Sequence, residues 1–189
     1  KEVIIEVLRD NYATESVYVK LFGFGLTPKM IHRLMEVYGL EAAIRVENNP
    51  YSLIYDIEGF GFKKSDNLAM TLGFKENDFL RLKEAMRYTL NTVCYQQGYT
   101  FLTKEQLVNS AHLLLQSNPI ISLEDLGLAL EDLVNNSFIV KEEDRYFDSA
   151  LHKSEVKCAE RIKKLKNKKV SLHKVEDIKE AIKEVELDL

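Results

Sequence analysis

The chain has 189 residues, with 26 Lys and Arg against 30 Asp and Glu, a net charge of -4, and 46% hydrophobic side chains. That is enough apolar material for one ordinary domain or two small ones, and it excludes a disordered chain, a collagen-like protein and a flexible linker. No run is long and apolar enough for a membrane-spanning helix, no signal peptide is visible, and Cys94 and Cys158 suggest neither a disulfide framework nor a zinc site, so a reducing cytoplasm is expected.

The apolar pattern is already running near Lys1, so the sequence reads as a piece of a longer polypeptide. Over residues 14–22, Val17, Tyr18 and Leu21 share a helical stripe, and Phe22-Gly23-Phe24-Gly25-Leu26 then turns too tightly to continue it. A second helix starts at Thr27 as N-cap with Pro28 at its first position. It carries Met30, Ile31, Leu34 and Val37–Tyr38 and stops at Gly39. A short helix over 40–47 leads to Asn49-Pro50, after which Leu53, Ile54 and Ile57 repeat the stripe before Glu58-Gly59-Phe60-Gly61-Phe62. A shift of 36 residues aligns Gly23 with Gly59, Phe24 with Phe60, Gly25 with Gly61 and Leu34 with Met70, the mark of a duplicated unit whose copies bury each other. Gly73 closes that domain, expected over residues 1–75.

Residues 76–100 hold a connecting helix, about 78–97, with Phe79, Leu82, Met86, Leu90 and Val93 on its apolar stripe and Gly98 at its end. Thr103 with Gln106 forms a capping box for a helix carrying Leu107, Ala111, Leu114 and Leu115, and Ser122 with Asp125 caps a second that runs to about Asn135–Asn136. Phe138–Val140 and Arg145–Phe147 flank the polar turn 141–144 as a short hairpin, so residues 101–150 predict a winged-helix-like domain. Residues 150–166 and 174–186 read as two more helices within a C-terminal segment, 151–189.

Charge is segregated along this order: residues 101–152 sum to -6, residues 153–174 to +7 and residues 175–189 to -4. Broad electrostatic coating of DNA is therefore not expected, and any nucleic-acid contact is local. The strongest candidate is Gly59, Phe60, Gly61, Phe62, Lys63 and Lys64. Two glycines around an apolar anchor let the backbone turn its N–H groups outward at a helix start, where phosphate binds without regard to base, and two lysines add charge. The plain alternative is a tight interhelical turn. The first hairpin, with Gly23, Gly25 and Lys29, is the weaker candidate because Pro28 removes a donor.

In the winged-helix-like segment, Glu124, Asp125, Glu131 and Asp132 and the tip Glu142-Glu143-Asp144 argue for protein contact over base reading. The basic run from Lys153 through Lys157, Arg161, Lys163, Lys164, Lys166, Lys168 and Lys169 reads as a solvated face or a second DNA contact. His32, His112, His152 and His173 are scattered without ligand spacing, so no metal site is expected. Neither hairpin follows a strand and no G-x-x-x-x-G-K-[ST] occurs, so no nucleotide site is expected, and no residue pattern marks a catalytic centre.

The order Leu40 through Asn49-Pro50-Tyr51, then Asp56 through Phe62 with Asp66 and Ala69, then Gly73-Phe74, resembles the N-terminal region of RecD-like bacterial DNA helicases, the exodeoxyribonuclease V alpha-chain-like proteins. The similarity continues through Arg81, the helix ending Gln97-Gly98-Tyr99-Thr100 and the Glu155–Leu165 helix. The resemblance implies a mostly α fold: a tandem helix-hairpin-helix domain, then a helical, winged-helix-like domain with one short β-hairpin. It implies an accessory, sequence-independent DNA-binding region of a 5′-3′ helicase in DNA repair or recombination, with Gly59, Phe60, Gly61, Lys63 and Lys64 on the motif. The expected partners are DNA, through its backbone, and a helicase motor in cis that uses ATP and magnesium; no cofactor in this region and no membrane are expected. The alternative is a scaffold that docks the motor or a repair partner without binding DNA.

Overall fold

The computed structural model describes residues 2–115, 121–167, 179–180 and 182–183, with side chains from residue 11 onward. Residues 1–149 pack as one unit and residues 150–189 form a second. In the first, α1 (Glu2–Gly23), α2 (Pro28–Tyr38), α3 (Ala42–Asn48), α4 (Leu53–Asp56) and α5 (Phe62–Thr71) precede the long α6 (Phe79–Gln97). Then come β1 (Leu102–Thr103), α7 (Lys104–Leu114), α8 (Leu123–Asn135), β2 (Ile139–Glu142) and β3 (Arg145–Asp148). The second unit contains most of α9 (Ser149–Asn167). Of the helix expected over 174–186, only 179–180 and 182–183 are described, and they are helical.

The duplicated stripes do bury one another. Leu21, Ile31, Leu34, Val46, Leu53 and Ile57 form one cluster that also takes in Leu26, Phe60 and Leu68 from the turns and α5. Val17, Tyr18 and Met30 pack at its edge, whereas Val37, expected on the stripe, is exposed at the end of α2. The Tyr38 hydroxyl reaches across to Asp56 Oδ2 at 2.6 Å, tying the end of α2 to the end of α4. Burial and then that carboxylate push the hydroxyl up to about 12.

The connecting helix α6 is a strut with two buried faces, packed against α5 on one side and α7, α8 and β3 on the others. Leu82, Met86 and Leu90 are buried as the stripe predicts. Phe79 is not: it stands exposed beside Lys83, whose Nζ lies 5.5 Å from the ring centroid. Its place in the first turn, one residue after the N-cap Asp78, precedes the point where neighbouring helices close over α6. Lys83 also pairs with Asp132 of α8 at 2.9 Å, so that carboxylate of the acidic helix is already engaged within the fold.

Both capping boxes form, at Thr103 with Gln106 and at Ser122 with Asp125. Thr103 serves twice, since its extended backbone also places it in β1, a strand too short to leave a periodic trace in sequence. The sheet is antiparallel in the order β1-β3-β2, with Leu102 opposite Tyr146 and Ile139 opposite Asp148. The expected four-residue turn is shorter: Lys141 and Glu142 belong to β2, and the reversal is made at Glu143, with φ 57°, and Asp144.

One polar cluster joins the hairpins to the part that follows. Tyr55 donates its hydroxyl to Glu84 Oε2 at 2.9 Å, and the Arg87 guanidinium lies 3.9 Å from the Tyr55 ring centroid and 4.9 Å from that of Phe138. Burial raises the Glu84 carboxyl above its ordinary 4.5, and the Tyr55 hydroxyl and the Arg87 and Lys83 charges offset part of that rise. A raised acid holds its proton in the folded state after the unfolded chain has lost it. Its contribution therefore falls as pH rises from about 4.5 toward the folded value. Glu84→Gln is expected to flatten stability against pH in that window while keeping the Tyr55 bond, as measured by urea melts across pH 4 to 7.

Candidate nucleic-acid interface

The two hairpins share a turn and differ at the helix that follows it. Gly25 and Gly59 take the left-handed φ values of 78° and 86° that each reversal requires, a conformation costly for any side chain with a Cβ. In the first hairpin the start of α2 is mostly closed: Thr27 Oγ1 accepts from the Met30 amide at 3.4 Å and Pro28 has no N–H to offer, which leaves the Lys29 amide alone without an acceptor among the described residues. In the second, the N-cap is Gly61, which brings no side-chain oxygen. The first bonds of α5 run from the Lys64 and Ser65 amides to the Gly61 carbonyl at 3.1 and 3.2 Å. The Phe62 and Lys63 amides lie ahead of these and have no acceptor among the described residues. Open amides at the positive end of a helix dipole are chemically suited to an anion.

The second hairpin is held rigidly. Phe62 is buried between the rings of Tyr51 and Tyr88, at centroid distances of 5.8 and 5.7 Å. Tyr51 is seated by Asn49, whose Oδ1 accepts the Tyr51 amide at 3.1 Å. The Tyr51 hydroxyl donates to Asp66 Oδ1 at 2.7 Å, and burial, then that carboxylate, raise its pKa. Arg81 grips Asp66 with two bonds, Nε to Oδ1 at 2.7 Å and Nη2 to Oδ2 at 2.9 Å, and gives Nη1 to the Glu76 carbonyl. Burial works against the Arg81 charge, and Asp66 more than restores it. The residues that carry the family resemblance, Asn49, Tyr51, Asp66 and Arg81, are thus one network that fixes α5 against the strut.

Phe60 and Phe62 are buried anchors, so what they present outward is backbone. Gly23 closes α1 in the open and, like Gly25, makes the turn without lining the site. Lys63 and Lys64 are exposed at the start of α5, and Lys64 Nζ bonds to the Gly59 carbonyl at 2.8 Å. Lys29, Arg33 and Lys64 line one groove of about 470 Å³ with Thr27, Met30, Glu58, Gly59 and Phe60, so the two hairpins flank a common space. Arg33, which sequence reasoning passed over, donates Nη1 to the Glu58 carbonyl across the groove. Its signal was spacing: four residues after Lys29, on the same helical face.

Elsewhere, α8 buries Leu126, Ala129, Leu130 and Leu133 and presents Glu124, Leu128 and Glu131 outward. Lys153, Lys157, Arg161, Lys163, Lys164 and Lys166 lie exposed on α9, while Lys168 and Lys169 are outside the described residues. Among the described residues no three His, Cys, Asp or Glu side chains come together as metal ligands, and no helix is long and apolar enough to cross a membrane.

Residues 10–101 match the family model described as the HHH domain of the ATP-dependent RecD2 DNA helicase. The match spans both hairpins, the Asn49–Arg81 network and the whole of α6, and ends before α7. Over residues 10–101 the chain is thus similar to the helix-hairpin-helix domain of RecD2-type DNA helicases.

Proposed function

We propose that this domain holds DNA by its sugar-phosphate backbone, without reading sequence, as the accessory region of a RecD-like 5′-3′ helicase. The observation that carries the reading is the uncapped start of α5, with two open amides beside Lys63 and Lys64. Backbone amides and lysines bind phosphate oxygens whatever the base, as an enzyme that travels along DNA requires. ATP and magnesium belong to the motor that this region serves in cis, and the wider setting that fits is DNA repair or recombination in the cytoplasm.

The part over 101–149, winged-helix-like in its two helices and hairpin, takes the other role. Its outward Glu124, Leu128 and Glu131 on α8 and its tip at Glu142–Asp144 suit contact with protein and repel a phosphate backbone.

Fluorescence anisotropy with labelled DNA at two salt concentrations tests the reading. The Lys63→Glu, Lys64→Glu double variant is expected to weaken binding by about tenfold or more, with a shallower salt dependence. Equal binding by variant and wild type would remove the hairpin from the interface. A folded chain that binds no DNA form would leave protein docking as the role of the whole region.

A further inference from the structure

We infer that the two hairpins grip one nucleic-acid strand in a single groove and do not place one hairpin on each strand of a duplex. The inference rests on the backbone-binding reading and adds the form of the ligand. A pair that straddles a duplex needs two open helix starts, one per phosphate track. Here Thr27 and Pro28 leave the first with the Lys29 amide alone, against two open amides at the second. The cations of that hairpin, Lys29 and Arg33, instead line the same groove as Lys64 of the second.

The tethers across the groove leave capacity for a ligand. Arg33 gives Nη1 to the Glu58 carbonyl and Lys64 gives Nζ to the Gly59 carbonyl, both neutral acceptors. A guanidinium has five N–H donors and an ammonium three, so both cations are held in position with most of their donors uncommitted. A phosphate oxygen is the stronger, charge-assisted partner. Met30, partly buried, lines the same groove as these cations, while Phe60 stays a buried anchor. Cations from both hairpins line one space, which a single phosphate track can fill, whereas the two tracks of a duplex call for two separate ones.

The test is anisotropy of the 189-residue chain with labelled oligo-dT and with a blunt duplex of the same length. Oligo-dT is expected to bind at least about tenfold tighter, with a salt slope near -2 from three phosphate contacts. Lys29→Glu and Arg33→Gln are each expected to weaken oligo-dT binding by about tenfold or more, the worth of a hydrogen bond to a charged group. The Gln amide stops two bonds short of the Arg33 Nη1 position, so Arg33→Lys, which keeps the charge, is measured beside it, and near-wild-type binding there assigns the loss to charge and not to the turn. Lys75→Glu, in the exposed loop after α5, controls for net charge and is expected to cost much less. Duplex binding equal to or tighter than oligo-dT overturns the inference, as does an Arg33→Gln chain that binds like wild type. If the Lys63→Glu, Lys64→Glu chain still loses binding in those cases, backbone binding by the second hairpin survives. If wild type binds neither DNA, both readings fall.

Discussion

Replacing Asp66 with alanine is expected to destabilise the fold by about 3–5 kcal/mol, because it strands the Arg81 guanidinium in a site built to neutralise it. The side chains of Arg81 and Asp66 are only 9% and 16% exposed, and Arg81 makes two of its three hydrogen bonds to Asp66. The Tyr51 hydroxyl loses its acceptor as well. For a chain of this size the loss corresponds to a drop in Tm of roughly 6–20 °C, read by circular dichroism. The paired replacement Asp66→Leu, Arg81→Met is expected to cost clearly less, since removing both charges also removes the burden of burying them. If Asp66→Ala melted like wild type, the pair would be an ornament on α5 and not what fixes it. DNA binding below the melting temperature is expected to weaken in the same variant, because the network sets where the open end of α5 lies.

That pair also marks how far the sequence could be read. The turns were legible because their demand is local. Gly25 and Gly59 occupy backbone conformations that other residues resist, so a glycine pattern repeated after 36 residues could be recognised without knowing what packed around it. The difference between the two helix starts was legible for the same reason, since Thr27-Pro28 and Gly61 act on their own neighbours. Arg81 and Asp66 are 15 residues apart on different helices, and so are Tyr51 and Asp66. No periodicity relates such positions, and only resemblance to a family drew attention to them. Arg33 was missed because an arginine on the polar side of an amphipathic helix looks like ordinary solvated surface. Its meaning comes from Glu58, 25 residues on, which only the stacking of the two hairpins brings across from it. Phe79 misled in the opposite sense, because it continues a helical stripe past the point where the fold supplies anything to cover it.

Changing Gly61 to aspartate is expected to move stability and DNA binding in opposite directions. Gly61 has φ -109° and ψ 174°, extended backbone open to any residue, and a Cβ there would sit 3.6 Å from the Tyr88 hydroxyl, an ordinary contact. The new carboxylate can accept from the open amides at the start of α5. Capping, the helix dipole and a less flexible unfolded chain together stabilise the fold by about 1 kcal/mol, raising Tm by about 2–4 °C. The same carboxylate occupies the place proposed for phosphate and sets a fixed negative charge before it, so affinity for DNA is expected to fall at least tenfold, about 1.4 kcal/mol or more. Gly61→Asn separates the two causes: it caps without charge, so a smaller loss of affinity at similar stability would assign the difference to electrostatic repulsion. A capped, more stable chain of either kind that still binds DNA like wild type would mean that the amides are not in the interface. Affinity would then have to come from the cations around them.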